Sequence, residues 1–140
     1  MKVKKILFVI LMMVFFAPST LPAADFAWMP GFNIQAQADP SGFHAKIATR
    51  FNIGDAQVTA VLSNFPEPAD AYVALRLVEM SGKPIEYVTE KYKNGKGRGW
   101  GALAKSLGIK PGSPEFHALK RGDDLYGKKG KGKGKGKKNK

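Results

Sequence analysis

The sequence predicts an all-α protein, a compact orthogonal bundle of about six short helices. Three observations predict it. Apolar residues recur at helical spacing in several windows, Pro, Asp, Ser and Gly stand where helices start and stop, and no run of four or more residues alternates apolar with polar side chains in strand-like composition. With 140 residues, 44% of them hydrophobic, the chain is long enough for one modest domain with a buried core.

Asp39 followed by Pro40 caps a first helix, with Phe43, Ile47 and Phe51 on one side and a stop at Gly54. Asp55 caps a second, whose Val58, Val61, Leu62 and Phe65 follow the i, i+3, i+4, i+7 stripe; Pro66 ends it by pushing the preceding residue out of the α region. Pro68 opens the third. There Ala71, Ala74, Leu75 and Val78 form one apolar stripe and Val73, Leu77 and Met80 a second, which predicts the central helix. Tyr72, Arg76 and Glu79 remain as its polar strip and a candidate contact face for a protein partner.

Pro84 occupies a first-turn position for a fourth helix carrying Ile85, Val88 and Tyr92, and Asn94 with Gly95 terminates it. A fifth runs from about Trp100 to Leu107 and stops at Gly108. Ser113 and Pro114 open the sixth, with Phe116 and Leu119 facing inward and Gly122 beyond its end. Helices of two to four turns are marginal alone, so packing must hold them.

Four segments follow. Residues 1–24 open with Lys2, Lys4 and Lys5, continue through the apolar run Ile6 to Ala17, and close with Leu21, Pro22, Ala23 and Ala24. That is the layout of a cleaved signal peptide, too short for comfortable spanning at about a dozen apolar residues against roughly 20 needed. An uncleaved membrane anchor is the other reading. The chain is expected to be exported, to the periplasm or beyond, with no transmembrane span in its mature form. Residues 25–38 hold Phe26, Trp28, Met29, Phe32 and Ile34 without helical periodicity; they read as an N-terminal arm laid over the bundle, or as an exposed apolar lure for a partner. Residues 39–122 form the helical domain and 123–140 a disordered basic tail.

From Glu90 to Gly122 the sequence reads EKYKNGKGRGWGALAKSLGIKPGSPEFHALKRG, and the pattern extends weakly upstream through PADAYVALRLVEMSGKP. The segment resembles an uncharacterised family of small exported bacterial proteins that share GWG, AK, LGIKPGS and EFHALK elements. The resemblance implies export and a shared helical domain. It carries over no mechanism and no catalytic residue.

Net charge is +12, but it is segregated. All 11 acids lie in residues 25–127, facing 12 cations there, whereas the last thirteen residues hold eight lysines and no acid. Within the body, residues 91–121 carry eight cations and only Glu115. The absence of Cys excludes disulfides, thiolate metal sites and a Cys nucleophile.

Few residues invite chemistry. In Asn94-Gly95-Lys96-Gly97-Arg98-Gly99-Trp100-Gly101, glycine alternates with cations just before a helix. Free backbone amides, Lys96 and Arg98 make an anion site one reading, and a turn with Trp100 as core anchor the other. No Walker lysine-serine pair is present. Ala104 and Gly108, four apart, offer a weak helix-turn-helix signal that would make the sixth helix a recognition helix; export argues against it. His44 and His117 are the only imidazoles and have no metal-ligand spacing, and His117 beside Phe116 reads as partly buried. Ser113 and His117 lack a nucleophile-elbow signature and an orienting acid. No cofactor, no metal and no enzymatic activity are expected.

The tail is the sharpest feature. Lys128, Lys129, Lys131, Lys133, Lys135, Lys137, Lys138 and Lys140 alternate largely with glycine, a composition that cannot bury a core. Its ends should lie about 20 Å apart on average, with a reach of roughly 45 Å. Aided by Lys96, Arg98, Lys105, Lys110, Lys120 and Arg121, it is expected to bind polyanions: lipopolysaccharide, an anionic lipid surface, acidic polysaccharide or extracellular nucleic acid. The alternatives are a protein-interaction module whose tail is a solubilising bystander, or small-anion binding at residues 94–101.

Overall fold

Fourteen residues from Pro68 to Ser81 form the helix around which the molecule is arranged, because only this stretch is apolar on nearly every side. Ala69, Ala71, Tyr72, Val73, Ala74, Leu75 and Leu77 are all buried in it. The computed structural model describes residues 25–95 and 98–127, and among them every regular element is helical. Seven helices follow in order: α1 (Met29–Ala38), α2 (Pro40–Phe51), α3 (Asp55–Asn64), α4 (Pro68–Ser81), α5 (Ile85–Asn94), α6 (Gly99–Ser106) and α7 (Pro114–Arg121). Helix α4 contacts α1, α3, α5 and α7, while α2 lies against α1 and α3. The expected signal peptide and the eight tail lysines lie outside the described residues, as does Lys96.

The predicted helices form with their predicted inner faces. Asp39 caps α2, its Oδ1 accepting from the Gly42 N–H at 2.9 Å, and Phe43 and Ile47 are buried behind it. Any side chain at Gly42 would collide with that capping carboxylate, which explains the glycine inside a first turn. For α3 the cap position falls on Gly54, not Asp55. The Gln57 side chain accepts from the Gly54 N–H at 3.0 Å, and Asp55 sits in the first turn, where a carboxylate faces the positive helix end. Pro84 likewise takes the cap position of α5 instead of a first-turn one. Ser113 caps α7 through its hydroxyl, accepting from the Phe116 N–H at 3.3 Å.

The stretch from 25 to 38 departs from expectation, and raises the helix count from six to seven. Residues 29–38 are helical although their apolar residues do not share one face: Phe32 and Ala36 are buried, whereas Ile34 is 70% exposed. Tertiary packing makes this helix. The Phe32 ring lies at 5.1–5.7 Å, centroid to centroid, from Trp28, Phe43, Tyr72 and Tyr126. The Trp28 indole N–H donates to the Leu119 carbonyl at 2.9 Å, and the Phe26 N–H to the Lys120 carbonyl at the same distance, fastening the chain start to α7. Trp28 and Phe26 are thus packed, and the exposed-lure reading of this stretch is overturned for both.

The far end is corrected too. Residues 123–127, expected as the beginning of the tail, belong to the folded body: Leu125 and Tyr126 pack against the core, and the N–H groups of Leu125, Tyr126 and Gly127 all converge on Asp123 Oδ1 at 2.6–3.1 Å.

Candidate anion-binding surface

Two groups of cations emerge from the fold, and ion pairing separates them. The first belongs to an internal network. Arg50 on α2 grips Glu79 on α4 with two bonds, Nη1 to Oε1 at 2.6 Å and Nη2 to Oε2 at 3.1 Å, while its Nε donates to Asp124 Oδ2 at 2.8 Å. Arg76 on α4 reaches Asp124 Oδ2 at 3.3 Å and donates to the Tyr72 hydroxyl at 3.1 Å; its Nε lies 3.1 Å from Glu79 Oε2 without hydrogen-bond geometry. Tyr72 closes the set by donating to Asp124 Oδ1 at 2.7 Å. Two arginines and two carboxylates cancel, so the network contributes cohesion and no net charge.

Titration follows from these contacts. Burial, above all, pushes the Tyr72 phenol up to about 12, which keeps it a neutral donor. Burial alone would raise Asp124, but the Tyr72 hydrogen bond, the Arg50 bond and the charge of both arginines outweigh it and hold the carboxyl below its ordinary range. Glu79 holds the Arg50 guanidinium above its ordinary value. The polar strip Tyr72, Arg76, Glu79 is therefore no free contact face: Tyr72 is 0% exposed and the other two are engaged.

The second group is the set read from residues 91–121. Lys91, Lys93, Arg98, Lys105, Lys110 and Arg121 are exposed and form no ion pair among the described residues. Lys93 donates to Asn64 Oδ1 at 2.8 Å. Lys120 departs from the expected role, being half-buried beside Asp25 at 3.6 Å and over the Phe116 ring at 5.7 Å.

Arg98 stands at the cap position of α6 and, with Lys91, lines a cavity of about 690 Å³ between α5 and α6. Tyr92 and Trp100 stack inside it, centroids 5.1 Å apart and planes at 23°, and Phe65 backs Tyr92 at 4.9 Å. Trp100 is half-buried, packing against the core as expected of an anchor while also walling the cavity. Burial first, and Asp70 nearby, push the Tyr92 phenol up; burial and then the charge of Glu67 raise Asp70 in turn.

Other candidates fall into structural roles. Seven residues, 107–113, separate α6 from α7, longer than the three or four of a helix-turn-helix, and Phe116 and Leu119 of the would-be recognition helix are buried. Gly108 instead ends α6 with φ +82°, its N–H bonding Lys105 and that of Ile109 bonding Ala104, a Schellman closure. His117 is exposed, not partly buried, because Phe116 and Leu119 define the inner face of α7. His44 bridges α2 to α3, 3.3 Å from Thr59 Oγ1 and 3.6 Å from Asp55. Among the described residues no group of three or more His, Asp or Glu is placed to hold a metal, and no helix is long and apolar enough to cross a membrane. Compared with protein-family models, curated proteins and solved structures, the chain matches none.

Proposed function

We propose that this is an exported, non-enzymatic helical protein that attaches to polyanions through its lysine-rich end, with the basic second half of its domain as an auxiliary surface. The observation that carries the reading is the division of cations. Arg50, Arg76 and Lys120 are consumed by internal acids, whereas six cations of residues 91–121 are exposed and unpaired among the described residues. The eight tail lysines add to the same sign of charge. Point charges of this kind bind phosphate, sulfate or carboxylate polymers without reading sequence; the leader layout and the GWG to EFHALK resemblance support an exported location, periplasmic or extracellular. The ligand class comprises lipopolysaccharide, anionic lipid surfaces, acidic polysaccharide and extracellular nucleic acid.

Retention on such polymers across a salt series tests this. If all eight lysines neutralise duplex phosphates, log K falls against log salt with a slope near −7, and each lysine contributes about 1 kcal/mol on an anionic bilayer. Deleting residues 128–140 should flatten the slope and release the protein; unchanged retention refutes the reading.

A second reading, small-anion binding between α5 and α6, is favoured by Lys91 and Arg98 sharing one cavity with the Tyr92–Trp100 stack. It predicts saturable calorimetric binding of inorganic phosphate that Arg98→Ala abolishes.

A further inference from the structure

A second cavity, of about 570 Å³, opens between α3, α4 and α5, and its chemistry is the reverse of the basic surface. Its floor is aliphatic, formed by Ile53, Val61, Leu75, Val78 and Ile85. Two carboxylates, Glu86 and Glu90, line it from α5; standing four residues apart on one helix face, they repel each other, and neither has an ion-pair partner among the described residues. The single cation in the lining, Lys93, donates its ammonium to Asn64 Oδ1 at 2.8 Å. Between them lies Thr89, 9% exposed, which also lines the groove.

We propose that this groove binds a small amphipathic cation, an alkyl or aryl ammonium compound. The volume falls within the range of small-molecule sites, about 300–1,000 Å³. The aliphatic floor takes the apolar body out of water. The ammonium group neutralises the repelling Glu86 and Glu90 and donates charge-assisted hydrogen bonds to their oxygens. An anion is excluded on the same grounds, because it would place like charge beside both carboxylates. The proposal stands apart from polyanion attachment: ligand sign and location differ, and Lys93 is the one cation common to both surfaces, so either can fail alone.

Calorimetry on the full chain with octylammonium chloride, against sodium octanoate of equal chain length, tests it. Octylammonium should bind saturably at one site, and octanoate at least about tenfold more weakly. Ala60→Trp, at an exposed position lining the groove, should abolish binding, with far-UV circular dichroism checking the fold. The double variant Glu86→Gln and Glu90→Gln, also at exposed positions, should weaken octylammonium about tenfold while leaving octanoate no weaker, and it reads the site independently if Ala60→Trp does not fold. Equal binding of both amphiphiles, indifference of a folded Ala60→Trp, or absence of saturation would overturn the proposal.

Discussion

The Tyr72 hydroxyl donates to Asp124 Oδ1 at 2.7 Å, and the Asp124 N–H returns a bond to the same hydroxyl at 3.2 Å, across 52 residues of sequence. This reciprocal pair joins the most buried helix to the segment immediately before the lysine run. The anchor of the basic end is thereby part of the core network and not a loose appendage of α7.

Tyr72→Phe removes one hydroxyl and strands both an oxygen and an N–H of Asp124. The expected cost is about 1.5 kcal/mol, the low end of the range for hydrogen bonds to a charged group, because Asp124 is partly exposed. Asp124→Ala should cost a similar amount, discounted because Asp124 is itself substantially exposed. Urea unfolding followed by tryptophan fluorescence measures both. Additive losses in the double variant would show that the two residues do not act as a pair.

Acid should loosen the same connection. The Asp124 carboxyl titrates below its unfolded value, so its contribution is fully present above the ordinary carboxylate range and disappears as pH falls through the depressed folded value. Asp70 has the opposite sign: burial raises it, so its protonated form favours folding at low pH, and that benefit is lost as pH rises through the raised value. Unfolding midpoints from pH 7 to pH 2 should therefore fall less steeply for Asp124→Asn than for the parent. Asp70→Asn should gain most at pH 7 and little at pH 2.

The particulars explain what could be read in advance. Six helices are legible from punctuation and period together: Asp39-Pro40, Pro66, Pro68, Asn94-Gly95, Gly108 and Ser113-Pro114 bracket windows whose apolar residues face one way. Helix α1 is not, because its residues are buried by aromatic partners scattered from Phe43 to Tyr126 and not by a stripe of its own. Tyr72 misled for a related reason. Its hydroxyl reads as polar in any local window, and only a partner 52 residues away lets the ring lie in the core. At the α5–α6 cavity the alternating cations of 94–101 are visible in the sequence, whereas the stacking of Tyr92 on Trp100 joins two helices and has no local signature.

Helix α4 has no cap of its own, since Glu67 offers no side-chain bond; Asn33 of α1 supplies it, its Oδ1 accepting from the Ala69 N–H at 2.8 Å. Asn33→Ala should destabilise the protein by about 1 kcal/mol, the usual worth of a cap. Asn33→Asp should retain most of it, because a carboxylate also accepts and suits the positive helix end. If thermal melts ranked Asp with Ala, the bond would not function as a cap.

Phe32 decides whether α1 is an accessory or a component of the core. Its ring, 1% exposed, is the shared contact of Trp28, Phe43, Tyr72 and Tyr126, drawn from α2, α4 and both ends of the described chain. Truncation to alanine in such a setting costs about 3–5 kcal/mol through lost transfer energy and the cavity left behind. A domain of this size has roughly 5–15 kcal/mol in total. Phe32→Ala should therefore shift the urea midpoint far downward and abolish much of the near-UV signal of the aromatic cluster, whereas Ile34→Ala, at the exposed position two residues on, should change stability by less than about 0.5 kcal/mol. Equal effects of the two substitutions would mean that residues 29–38 lie on the bundle without completing it. The predicted contrast requires that α4 cannot pack without α1.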